Sequence, residues 1–223
     1  MSELDLRTLS FTDGRTLPVG TFYCIGRNYA EHIREMGATM PENPIVFIKP
    51  PAAYLPSGSK VELPAFSQEI HHEAEIIAVI GRDCARLSPE EAAGVIAGYA
   101  VGLDLTARDV QKRAKERGEP WATSKSFRGS APMSPIVPTD FFGTKEPHLT
   151  FTLYINGEQR QFGDSRKMER GFAELISYLS DIFDLRAGDC IFTGTPSGVA
   201  RVTSGDTARL ILHDCTELNV IFY

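Results

Sequence analysis

The chain has 223 residues, 42% of them hydrophobic and 23% charged, with a formal net charge of −6. That composition excludes a disordered or collagen-like chain, and an acidic balance is wrong for a surface that tracks nucleic-acid phosphates. The longest uncharged apolar stretch, residues 92–103, is too short to cross a bilayer and carries three glycines. Neither a membrane nor a nucleic-acid partner is expected. The acidic start, Met1-Ser2-Glu3-Leu4-Asp5, lacks the apolar centre of a secretory signal. Cys24, Cys84, Cys190 and Cys215 are widely spaced, with no CxxC pair. They fit buried thiols in a reducing cytoplasm better than a zinc knuckle or a disulfide scaffold.

In chain order, residues 22–25 read as a short strand. Gly26-Arg27-Asn28 then turns into a short helix over residues 29–36, closed by Gly37. Proline-rich loops bracket an apolar strand at residues 45–48. Residues 1–55 are expected to form an N-terminal arm and lid on a metal-binding body, residues 60–223, within a single catalytic domain. Residues 71–80 read as one strand ended by Gly81. Ser88-Pro89-Glu90-Glu91 is a capping box with Pro at the first helical position, starting a helix to about residue 97. A buried strand over residues 99–103 ends in Asp104. A polar helix over residues 106–116 follows, closed by Gly118. Leu149, Phe151, Leu153 and Ile155 alternate before Asn156-Gly157, the pattern of a hairpin with a type I′ turn. Met168, Phe172, Leu175, Ile176, Leu179 and Phe183 share one helical face. The tail alternates glycine turns with strands at residues 190–193, 207–212 and 218–222. The fold class is mixed α/β and β-dominated. No Gly-rich phosphate loop is present, so nucleotide binding has no support.

The sharpest chemical cluster is His71-His72-Glu73-Ala74-Glu75. On a regular strand, Glu73 and Glu75 project side by side with His71, and His72 faces the other way. Asp104 ends the next strand. If the two strands are neighbours, three carboxylates converge, a donor set for Mg²⁺ or Mn²⁺. Taken alone, Glu-x-Glu is more often a solvated strand face, and a zinc site through His71 is a lesser alternative. His32 and Glu35 stand i,i+3 on a helix, where a carboxylate orients an imidazole as a base; taken alone they are more often a surface ion pair. Arg108 and Gln111 share a helical face beside Asp104, and Lys125 follows a loop. These donors suit a carboxylate or a developing oxyanion. Lys112, Arg113 and Lys115 read as solvated. Gly194-Thr195-Pro196-Ser197-Gly198 is a turn whose N–H groups and Thr195 hydroxyl can hold a carboxylate, or simply a structural turn.

Six segments occur in order: Gly26-Arg-Asn-Tyr-Ala-Glu-His32, Phe47-Ile-Lys-Pro50, His71-His-Glu-x-Glu75, Leu103-Asp-Leu-Thr-Ala-Arg-Asp109-Val-Gln111, Lys125-Ser-Phe127 and Thr193-Gly-Thr-Pro196-x-Gly198. Together they resemble the fumarylacetoacetate hydrolase family, in its short acylpyruvase and oxaloacetate decarboxylase branch. The resemblance implies a curled mixed β-sheet roll with peripheral helices, and a homodimer. It implies Mg²⁺ or Mn²⁺ on Glu73, Glu75 and Asp104, with His32 and Glu35 as a water-activating dyad on a mobile lid. It implies Arg108, Gln111 and Lys125 around the reacting carbonyl and Thr195 on the substrate carboxylate. The activity expected first is hydrolysis of a carbon–carbon bond in a 2,4-diketo acid such as an acylpyruvate. Oxaloacetate decarboxylation or keto-acid tautomerisation is the alternative. A non-catalytic small-acid binding protein is the reading from another class.

Overall fold

Side chains on a strand alternate between its two faces, so a strand that is apolar at every position must be covered on both. The segment 74–80 is apolar at every position but Glu75 and is buried at all seven. It organises the computed structural model, which describes residues 8–31 and 40–223.

The elements in chain order are β1 (Thr8–Ser10), β2 (Thr16–Pro18), β3 (Phe22–Gly26), β4 (Ile45–Lys49), β5 (Tyr54–Pro56), β6 (Lys60–Val61), β7 (Ile70–His72), β8 (Ala74–Ile80), α1 (Pro89–Ala92), β9 (Ile96–Leu103) and β10 (Thr106–Ala107). They continue with α2 (Arg108–Arg117), α3 (Ala122–Lys125), β11 (Ala131–Met133), β12 (Val137–Pro138), β13 (Thr150–Ile155), β14 (Glu158–Asp164), α4 (Phe172–Ile182), β15 (Cys190–Phe192), β16 (Ala200–Val202), β17 (Thr207–Leu212) and β18 (Thr216–Phe222). An eight-stranded mixed sheet has the order β4-β3-β15-β8-β9-β11-β5, with β12 joined to β9. A five-stranded sheet has the order β14-β13-β17-β18-β6, and a three-stranded one β10-β7-β16. The class is β-dominated mixed α/β, a curled mixed sheet with few helices.

The eight-stranded sheet separates two cores. Ile76, Ala78 and Ile80 of β8 join Tyr23, Tyr99, Val101 and Ile191 on the face covered by the five-stranded sheet and α4. Ile77 and Val79 point the other way, to Phe22, Cys24, Ala100 and Phe192. The five-stranded sheet is amphipathic: Phe151, Leu153 and Ile155 are buried while the residues between them are half-exposed. On α4, Phe172, Leu175, Ile176 and Leu179 form the buried stripe that the periodicity predicts.

Local signals locate several elements well. The capping box is formed, with Ser88 Oγ accepting from Glu91 N and Glu91 Oε2 accepting from Ser88 N. Asn156 and Gly157 take φ of 53° and 81°, as the hairpin requires. Gly118 ends α2 at φ 68°. Tertiary pairing changes the rest. The helix after Ser88 is a single turn because Ile96 must already pair with Ile80. Helix α2 starts only at Arg108, because Thr106 and Ala107 pair with His71 and Ile70. Met168 lies outside α4 and bridges Tyr29 instead. Strands β3 and β4, assigned from sequence to an arm, are integral to the eight-stranded sheet. Of the helix expected over residues 29–36, the part from residue 32 onward lies outside the described residues.

Candidate active site

The expected strand over residues 71–80 is two strands in two sheets. Strand β7 belongs to the three-stranded sheet, β8 to the eight-stranded one, and Glu73 is the residue between them. The segment 96–107 does the same: β9 pairs with β8, β10 pairs with β7, and Asp104 lies in the gap. Two antiparallel segments thus change sheets at the same level, tied by a hydrogen bond from Asp104 N to Glu73 O of 2.8 Å. A carboxylate from each is delivered to one point. Glu75, on β8, supplies the third. Each residue of this triad offers a carboxylate oxygen within 4.8 Å of the others, and all three are buried.

Three buried anions need compensation. Lys125 Nζ lies 2.7 Å from Glu73 Oε2 and 2.5 Å from Asp104 Oδ2. Arg108 donates to Glu73 Oε1 and, at 2.7 Å, to Gln111 Oε1. Lys49, fully buried, stands 2.8 Å from Asp104 Oδ1. It also reaches Leu105 O, Ser130 O and Ser130 Oγ at 3.2, 3.1 and 3.0 Å, and contacts Lys125 O. Burial alone would raise the Glu73 pKa, but Lys125 and Arg108 outweigh it and hold the carboxyl well below the usual range. Burial works the same way on Glu75, and there the Asp104 and Glu73 charges add to it, pushing the carboxyl well above the ordinary value. Gly194 N donates to Glu75 Oε2 at 2.7 Å. Lys125 is raised despite its burial, because Asp104 and Glu73 face it.

The donor set fits a hard divalent cation. It is all carboxylate, with no thiol or imidazole. Asp104 Oδ1 accepts no hydrogen bond among the described residues, since the Lys49 contact lacks hydrogen-bond alignment. Glu75 carries a charge that only a further cation or a proton would offset.

One cleft brings together Glu73, Glu75, Asp104, Arg108, Gln111, Lys125 and Thr195, seven of the nine site residues expected from sequence. His32 and Glu35 lie outside the described residues. The face pattern of residues 71–75 is corrected by the break at Glu73. His71 is drawn away to Glu69 Oε1 at 3.0 Å, and His72 is buried against Gln161 Oε1 at 2.9 Å, so neither joins the carboxylates. The hydroxyl of Thr195 is committed, donating to Ala74 O at 2.8 Å and accepting from Gln161 Nε2 at 2.9 Å. Lys115, read as solvated, is exposed and also lines the cleft.

Sequence reasoning missed Lys49, Gln161 and Asn28. Lys49 had a signal: it is the one charge closing the apolar run Ile45-Val-Phe-Ile48. Gln161 had none, since it sits in a polar hairpin strand. It is buried because its amide serves Ala74 N, the Thr195 hydroxyl and Pro196 O. Asn28 donates to Thr193 O and Arg170 O and accepts from Arg170 N, and so clamps the loop that carries Gly194.

A curled mixed sheet that delivers three buried carboxylates to one point defines a candidate site for a divalent metal. This chain belongs to the fumarylacetoacetate hydrolase family: residues 21–220 match the family described as "Fumarylacetoacetate (FAA) hydrolase C-terminal". It is 44% identical over 191 residues to the mitochondrial oxaloacetate tautomerase of Bos taurus, covering 85% of this chain and 86% of the relative. It is 42% identical over 189 residues to the oxaloacetate tautomerase of Escherichia coli, with the same coverage of each chain, 85% and 86%. The fumarylpyruvate hydrolase from Pseudomonas aeruginosa, solved in complex with Mn²⁺ and pyruvate, superposes with a TM-score of 0.91 at 39% identity, covering 97% of this chain and 95% of that one. The 5-carboxymethyl-2-hydroxymuconate delta-isomerase from Mycobacterium smegmatis gives 0.80 at 30% identity, with 94% and 85% covered. The named curated relatives favour the tautomerase alternative over hydrolysis, which was expected first.

Proposed function

We propose that the protein is a divalent-metal enzyme that interconverts the enol and keto forms of oxaloacetate or a close analogue, with Glu73, Glu75 and Asp104 as ligands of Mg²⁺ or Mn²⁺. The observation that carries this reading is the buried triad at the sheet crossing, taken with the tautomerase names of two relatives above 40% identity. A cation bound there would act as a Lewis acid on the C2 oxygen of a 2-oxo acid and lower the cost of enolate charge.

The remaining work falls to side chains. Keto–enol exchange breaks a C3–H bond and forms an O–H bond, or the reverse, with one proton moved and none gained. Lys125 Nζ, fixed between Glu73 and Asp104, holds positive charge and a proton beside the developing enolate oxygen. Arg108 and Gln111, locked to one another, orient the substrate head. With its hydroxyl committed, Thr195 offers a substrate carboxylate its backbone N–H. The resemblance pairs His32 with Glu35, and in this reading that pair carries the proton at C3.

A second reading, hydrolysis of an acylpyruvate, is favoured by the likeness to the Mn²⁺- and pyruvate-bound fumarylpyruvate hydrolase. There His32 would activate water. A homodimer in the cytoplasm belongs to either reading, and light scattering tests the dimer. The described residues include no helix long and apolar enough to cross a membrane.

The deciding experiment starts from enolic oxaloacetate with Mg²⁺ or Mn²⁺. Enol absorbance and pyruvate are followed together, with acetylpyruvate cleavage measured in parallel. Enol loss that outruns pyruvate supports tautomerisation. Equal rates indicate decarboxylation, and faster acetylpyruvate cleavage indicates hydrolysis. No acceleration of any of these, with metal present, refutes the proposal.

A further inference from the structure

Four cations line the cleft: Arg27, Arg108, Lys115 and Lys125. Two are already engaged, Arg108 with Glu73 and Gln111, and Lys125 with Glu73 and Asp104. With Lys49 they are held by Glu73 and Asp104, and none is paired with Glu75. Arg27 and Lys115 form no salt bridge among the described residues, and of the carboxylates only Glu73 acts on Lys115, at longer range.

Both are placed by the fold. Lys115 stands seven residues after Arg108 and four after Gln111, so α2 presents the three as one stripe. Its ammonium lies 5.0 Å over the ring of Trp121, another wall of the cleft. Arg27 has φ of 61°, in the left-handed region that non-glycine residues seldom enter. That turn is held by the three Asn28 side-chain bonds, at 2.9 and 3.0 Å to Thr193 O and Arg170 O and 2.9 Å from Arg170 N. Strain maintained by surrounding bonds beside a site is a pointer to function. The crowding is also felt electrostatically. Burial lowers the Lys115 pKa, Arg108 lowers it further, Glu73 opposes this, and Lys125 and Arg27 add to the lowering. An anion at the mouth would relieve this.

We infer that Arg27 and Lys115 clamp the second carboxylate of the substrate, so that the site selects dicarboxylic 2-oxo acids over monocarboxylic ones. The inference rests on the keto-acid reading above and names the residues that set its specificity. The apolar wall of the same cleft, Ile45 and Phe47, offers the opposing arrangement, a substrate tail with no charge.

Trp121 is the only tryptophan in the chain, so its fluorescence reports binding in the cleft directly. Malate and lactate share a 2-hydroxy acid head and differ in the distal carboxylate. With the Mg²⁺-loaded enzyme, malate is expected to bind about 100-fold more tightly than lactate, each charged contact contributing about tenfold. Arg27→Gln and Lys115→Gln should each remove about tenfold of that ratio, and Arg27→Lys should keep most of it. The kcat/KM ratio of oxaloacetate to acetylpyruvate should fall in parallel, mainly through KM. Lys115→Gln lies on an exposed helix face and tests the clamp even if the Arg27 turn tolerates no change. A wild type that binds both acids equally, or variants that leave the ratio intact, would overturn the clamp. A wild type that turns over no keto acid would overturn the reaction instead, and the fluorescence ratio would still judge the clamp.

Discussion

Lys49 and Asp104, with side chains 0% and 1% exposed, face each other across 2.8 Å without forming a hydrogen bond. The lysine spends its protons on main-chain and hydroxyl oxygens of the segments that carry Asp104 and Lys125. It thereby neutralises the carboxylate while leaving Oδ1 open to a cation. Replacing Lys49 by Met should cost about 3–5 kcal/mol, the usual price of leaving one partner of a buried pair. The loss is read from the urea midpoint in EDTA. Asp104→Asn in the Lys49→Met background should recover part of it. A double variant no more stable than Lys49→Met would show that the two charges are not coupled.

Glu75 predicts a pH dependence. Its folded pKa is raised above the unfolded value, first by burial and then by Asp104 and Glu73. The folded state therefore binds the proton more tightly. Its contribution to stability falls as pH rises from the unfolded pKa of about 4.3 through the folded one. In EDTA, Glu75→Gln should gain stability over wild type as pH rises above about 5. Mn²⁺ should stabilise wild type in the same range and leave the variant unchanged. Parallel pH profiles in EDTA would refute this account of Glu75.

Alanine at Glu73, Glu75 or Asp104 should abolish Mn²⁺ binding by calorimetry and reduce turnover to the metal-free level, since three protein ligands leave no spare. Full turnover by exhaustively chelated wild type would show that the triad serves another purpose.

Gly194 takes φ of 96°, and a Cβ there would meet Asn28 Cβ at 3.0 Å and Ile25 O at 3.1 Å. Gly194→Ala should cost about 1–3 kcal/mol in stability. It should also weaken metal binding, because the same residue's N–H holds Glu75. Unchanged Mn²⁺ affinity in a destabilised Gly194→Ala would separate the loop from the site.

The His32 and Glu35 roles separate the two reactions. If the pair activates water, His32→Ala and Glu35→Gln should reduce acylpyruvate cleavage by about 10²–10⁴ and spare oxaloacetate decarboxylation. If it carries the C3 proton, enol–keto exchange should fall by a similar factor. Unaltered rates for all three reactions would remove the dyad from the chemistry.

Much of this protein was legible in its sequence because the signals are local. The Ser88 capping box, the Asn156-Gly157 turn and the α4 stripe each rest on residues a few positions apart, where chain geometry alone decides. Glu73, Glu75 and Asp104 were also readable as candidate ligands, through their spacing taken together with the family resemblance.

The way those acids meet was not readable. A regular strand through residues 71–80 puts Glu73 and Glu75 beside His71. The real chain breaks at Glu73 to pass between sheets, and that break removes His71 from the site, while His72 is buried elsewhere, against Gln161. The crossing exists because the segments 70–80 and 96–107 each pair in two sheets at once. The roles of Lys49 and Gln161 were unreadable for the same reason: their partners lie 55 and 87 positions away in sequence, at Asp104 and Ala74. Residue type and spacing picked out most of the acidic and basic groups that the cleft gathers. Long-range strand pairing, which no local pattern encodes, decided which charges share a desolvated space and therefore what each of them does.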